Sequence, residues 1–95
     1  MRVVYVNQDP GIQPGRKKGA AVHVMEMRRA FRALGSDVVA IDTPDAETAA
    51  RRLETELARG LDLIYERDAL NSGAAFAFAR ERRIPFVLEV NSPLE

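Results

Sequence analysis

No cysteine occurs in this chain, which excludes a disulfide scaffold, a thiolate metal site and cysteine catalysis. Histidine occurs once, as His23, with no second histidine or aspartate near it at ligand spacing, so no metal site is expected. Excess charge is missing as well. Fourteen Lys plus Arg balance fourteen Asp plus Glu, and without a global positive field nucleic acid is not an expected partner. Long apolar runs are also lacking. The run that ends at Val6 and the stretch 74–79 are both too short for a signal peptide or a membrane span. These absences lead to the expectation of a soluble, cytoplasmic domain with no transmembrane segment.

What the chain does contain is ordinary globular material. It has 95 residues, 46% apolar and 29% charged, which makes one domain over residues 1–95 with one modest core. Four apolar runs read as strands: Arg2–Asn7, Asp37–Asp42, Asp62–Glu66 and Pro85–Asn91. Their centres, VVYV, VVAI, LIY and FVLEV, are continuous rather than alternating, as strands covered on both faces of a parallel sheet are. Helical patterns separate them. In the first, Ala20, Val24, Met27, Phe31 and Leu34 form one stripe, with Glu26, Arg28, Arg29 and Arg32 largely off it, and Gly35 supplies the stop. In the second, Thr43 is the expected N-cap and Pro44 suits the first turn. Its buried face is Ala46, Ala49, Ala50, Leu53 and Leu57, and Gly60 closes it. The third runs from about Ser72 to Arg82 and ends before Ile84-Pro85. The alternation predicts a Rossmann-like α/β three-layer sandwich: a four-stranded parallel sheet and three helices, with right-handed crossovers.

Two features look incomplete. The third helix is apolar around most of its circumference, and the last strand would leave one edge of the sheet open. A truncated domain and a complete small domain with Glu89 as an edge charge both fit, and the open edge suggests a homodimer.

In open α/β sheets ligands bind beyond the carboxyl ends of the strands, where strand order reverses. Polar residues collect there: Asn7, Gln8 and Asp9; Asp42; Glu66, Arg67 and Asp68; Asn91. The segment G-R-K-K-G-A-A-V-H-V, residues 15–24, matches neither the P-loop nor the dinucleotide-binding spacing. Gly19 and Ala20 at a helix start still offer unpaired backbone N–H groups and a favourable dipole to an anion. His23, one turn further, reads first as a packing or capping residue and second as a ligand contact. Tyr65-Glu66-Arg67 reads most simply as a salt-bridged rim. No nucleophile elbow and no located carboxylate pair mark a catalytic residue.

Together these stretches resemble a family. Lys18-Gly19-Ala20-Ala21-Val22-His23-Val24, then Ala33-Leu34-Gly35-Ser36-Asp37-Val38, resembles the K-G-A-x-x-H-V … L-G-x-x-V opening of family 4 glycosyltransferases of the GT-B fold. Asp62-Leu63-Ile64-Tyr65-Glu66-Arg67 is similar to the D-x-I-Y-E-R segment of one branch of these enzymes. The stretch from Ile84 to Leu94 is similar to its I-P-x-V-L-E-V-N-x-P-L segment. The resemblance implies the amino-terminal, acceptor-side domain, with the carboxy-terminal Rossmann-like domain, which carries most of the nucleotide-sugar site, missing.

In the intact enzyme a sugar would pass from a nucleotide-sugar to a hydroxyl acceptor with retention, without metal or other cofactor. The substrate or anion contacts implied here are Gly19, Ala20, His23, Glu66, Arg67 and Asn91. The family also implies strand order 2-1-3-4, where periodicity leaves 3-2-1-4 open, and that order would set the Gly19 loop beside Glu66 and Arg67. The chain departs from the family where Thr43-Pro44 follows Asp42 at once, in place of an edge strand, and at Asp68, where an aromatic residue often follows Y-E-R. A non-catalytic module that self-associates through its open edge is the alternative. A receiver-like signalling domain fits less well, having only Asp9, Glu66 and Asp68 near the positions it needs.

Overall fold

The computed structural model describes residues 1–8, 19–67 and 73–90, with the backbone alone for residues 19–21. Seven elements alternate: β1 (Arg2–Asn7), α1 (Gly19–Ala33), β2 (Asp37–Asp42), α2 (Ala46–Arg59), β3 (Leu63–Arg67), α3 (Ala74–Arg82) and β4 (Phe86–Glu89). All strand pairs are parallel, and the order across the sheet is β2-β1-β3-β4. The chain therefore has the expected α/β architecture, and the order 2-1-3-4 is the one of the two alternatives that it adopts.

Two cores form on the two faces of the sheet. Side chains alternate along a strand, so odd and even positions part company. Val3, Tyr5 and Tyr65 pack with Val24 of α1, with Met27, Phe31, Val38 and Leu63 around them. Val4, Val6, Ile41 and Ile64 pack on the opposite face with Ala49 and Leu53 of α2 and Ala75, Phe78 and Ala79 of α3. β1 lies between two other strands and is covered by helices on both sides, which explains its unbroken apolar run.

Local chemistry sets the helix ends. α2 is capped by Asp45, whose carboxylate accepts from the Thr48 backbone N–H at 2.9 Å. This corrects the expectation of Thr43 as N-cap: the Thr43 hydroxyl instead accepts from the Asp45 N–H, and Pro44 precedes the helix. Ala46, expected on the buried face of α2, is exposed. At the other end Gly60 (φ +98°) donates to the Leu57 carbonyl. Arg2 reaches across to the same end, donating to the Glu56 and Gly60 carbonyls and pairing with the Glu56 carboxylate at 2.5 Å. α3 is held less well. Its N-cap, Gly73, has no side chain to give, and its C-cap, Arg83, takes a left-handed conformation (φ 57°).

Two residues of the first helical pattern sit elsewhere than their stripe implied. Leu34 falls past the end of α1 and is 83% exposed. Arg28, read as lying off the apolar stripe, is only 3% exposed. β3 begins one residue later than read and includes Arg67, while β4 begins at Phe86. Among the described residues no helix is long and apolar enough to cross a membrane.

Candidate functional site

The strand registers place four polar residues in one line at the carboxyl ends of the sheet. Asn7 pairs with Asp42 on one side and Arg67 on the other, and Arg67 pairs with Glu89. All four follow the parity of Tyr5 and Tyr65, so they share the face covered by α1. This line crosses the point where strand order reverses, between β1 and β3.

Glu89 organises one half of the line. Its carboxylate receives the Tyr65 hydroxyl at 2.6 Å and lies 2.5 Å from His23 Nε2, while an Arg67 amino group donates to it at 3.5 Å. Its side chain is 13% exposed, and that of His23 is 44% exposed. α1 and β4, far apart in sequence, are thereby tied through one carboxylate. Burial, the hydrogen bond to Glu89 and the Glu89 charge together hold the Tyr65 phenol well above its ordinary pKa, so it stays a donor.

The other half belongs to Arg28. Its fork donates to both oxygens of Asp42, at 3.0 and 2.7 Å, and its guanidinium carbon lies 4.5 Å from the centre of the Tyr5 ring. Tyr5 stacks on Tyr65 with ring centres 5.0 Å apart, and Phe31 meets Tyr65 edge-on at 5.2 Å. Burial first, then the Glu89 charge, pushes the Tyr5 phenol up to about 12, against the opposing pull of Arg28 and Arg67.

Several polar atoms here are buried without a hydrogen-bond partner among the described residues: the Tyr5 hydroxyl, both amide atoms of Gln8, and Nε of Arg28 and of Arg67. Buried polar atoms of this kind ordinarily have a partner. Three of them, the Tyr5 hydroxyl and the two Nε atoms, lie on side chains of the α1 face.

Of the residues expected at the site, His23 and Arg67 are brought together, with Glu89 between them. Glu66 is not. It pairs in register with Val6 and Leu88 and follows Ile64, which packs under α2 and α3, so it faces away from α1 and is 1% exposed. The loop that precedes Gly19 lies outside the described residues, and Glu66 and Arg67, adjacent on β3, point to opposite faces of the sheet. Gly19 and Ala20 form the first turn of α1, on which His23 also sits. Asn91 and the cations Arg16, Lys17 and Lys18 lie outside the described residues.

Sequence reasoning missed Glu89, Tyr65 and Arg28 as site residues. The one signal for Glu89 was a carboxylate inside an otherwise apolar strand. Among the described residues no three His, Asp or Glu side chains are grouped as metal ligands. No protein-family model, no curated protein and no solved structure matches this chain.

Proposed function

We propose that the chain is the acceptor-side, amino-terminal half of a cytoplasmic, retaining GT-B glycosyltransferase. The polar line Asp42–Asn7–Arg67–Glu89, which crosses the strand reversal and has His23 bound at its Glu89 end, is the observation that carries this reading. A hydroxyl acceptor would lie over that line, and the nucleotide-sugar would be held chiefly by a second Rossmann-like domain. A single Rossmann-like domain forms one wall of such a cleft, and aligning donor with acceptor while excluding water takes two, so residues 1–95 by themselves should bind without turning over. The test is incubation with nucleotide-sugars and hydroxyl acceptors, followed by mass spectrometry and by amide NMR. Binding shifts at His23, Tyr65, Arg67 and Glu89 without product are expected; no response to any sugar or nucleotide-sugar would overturn the reading.

One observation favours a second reading, a module that self-associates through β4. Val87, Leu88 and Val90 are exposed on or beside this edge strand, and Phe76, 54% exposed, meets Phe86 edge-on at 5.6 Å. Apolar side chains on an unpaired edge favour a partner. Sedimentation over a range of concentrations tests it, and a strictly monomeric species would dismiss it.

A further inference from the structure

The polar cluster under α1 offers both kinds of hydrogen-bonding atom at close quarters. On the accepting side stands the Glu89 carboxylate, which already receives Tyr65 and Arg67. The His23 ring is the second acceptor. With Nε2 directed at a carboxylate 2.5 Å away, that nitrogen is the donor, and in the neutral ring Nδ1 is the acceptor. Nδ1 has no partner among the described residues, and the side chain is 44% exposed. On the donating side are the Tyr5 hydroxyl and Nε of Arg67, both buried and without a hydrogen-bond partner among the described residues. An arginine Nε can only donate.

This inventory discriminates between ligand classes. An oxyanion would satisfy the donors but would meet the charge of Glu89, which already occupies the face of Arg67 and His23 that an anion would use. A cation would suit Glu89 and meet Arg67. A neutral ligand bearing several hydroxyl groups both donates and accepts and brings no charge to either.

We infer that His23 and Glu89 form a hydroxyl-reading pair for a neutral polyol: Glu89 is the positioning residue that fixes the imidazole, and Nδ1 of His23 accepts the proton of a ligand hydroxyl. The inference rests on the acceptor-side reading above and deepens it, because it names the atom that receives the acceptor hydroxyl. At His23 and Arg67 it names a neutral ligand rather than an anion.

The experiment is an amide and imidazole NMR titration of the 15N-labelled chain with methyl glucopyranoside and, separately, with inorganic phosphate. The glycoside is expected to give saturable shifts at His23, Tyr65 and Glu89 and to move the Nδ1 resonance, while phosphate leaves them in place. His23→Gln and Glu89→Gln, each checked for a native amide spectrum, should weaken glycoside binding at least tenfold. Glu89→Gln should also let phosphate shift His23 and Arg67. Phosphate binding to the native chain in preference to the glycoside overturns the inference. Equal glycoside affinity in the native chain and both variants overturns it too, while leaving the acceptor-side reading in place. No response to any saccharide overturns both.

Discussion

Arg28 and Asp42 form a two-bond ion pair in which the two partners sit in different surroundings. The arginine side chain is 3% exposed and the aspartate side chain 28% exposed. The cost of breaking the pair therefore depends on which charge is left behind. Asp42→Ala leaves a buried guanidinium against the Tyr5 ring with no carboxylate bonded to it among the described residues, and should cost about 3 kcal/mol. Arg28→Leu leaves a carboxylate that water can reach, and should cost roughly 1 to 2 kcal/mol. Arg28→Lys should recover little, since a lysine lacks the fork that spans both oxygens. Urea denaturation of the three variants measures this; equal costs for Asp42→Ala and Arg28→Leu would contradict it.

Alkaline conditions should unfold the protein through its two tyrosines. In the unfolded chain a phenol ionises near 10.0, whereas folded Tyr5 holds its proton up to about 12 and Tyr65 is raised in the same direction. Below pH 10 both states are protonated and nothing changes. Above it the unfolded state releases protons that the folded state keeps, so stability falls as pH rises toward 12. Phenolate absorbance and the urea midpoint, followed together over that window, should move as one. In Tyr5→Phe the fall should be shallower, and near neutral pH the change should be small, because the lost hydroxyl has no hydrogen-bond partner among the described residues.

Leu53 of α2 is fully buried in the core shared by α2, α3 and the sheet. Leu53→Ala should remove about 3 kcal/mol through lost burial and the cavity left behind. By contrast Leu34→Ala, at a side chain left 83% exposed, should fall within about 0.5 kcal/mol of the parent. The two urea midpoints together test the assignment of the core.

At the β4 edge, Val87→Lys places a charge on a side chain already 44% exposed. If the edge mediates association, this variant should sediment as a monomer at concentrations where the parent is larger. An unchanged profile shows the edge to be idle.

The elements were legible because their signals are local. β1 and β2 are unbroken apolar runs between polar residues, and their bounds agree residue for residue with the reading of the chain. The start of α2 was ambiguous because Thr43 and Asp45 are both capping residues flanking a proline. What separates them is the reach of Asp45 to the Thr48 N–H three positions on. Arg28 was misplaced because a stripe drawn through apolar side chains leaves out an arginine, and its burial depends on Asp42 and Tyr5, supplied by other elements. Glu89 was visible only as a charge in a strand. Its link to His23 spans 66 positions and exists because the order 2-1-3-4 carries β4 past β3. Local chemistry is written in the sequence, whereas this cluster follows from topology.

The ends of α3 have a consequence in time. Nine residues are too few to hold a helix alone, and neither Gly73 nor the left-handed Arg83 contributes a side-chain cap. The helix persists only while Ala75, Phe78 and Ala79 stay docked. Local opening should begin there, with α3 amides exchanging hydrogen earlier than those of β1, which is paired on both sides. The face under α1, where Glu89 meets His23, draws no side chain from α3. One side of the sheet can thus breathe while the other keeps its shape.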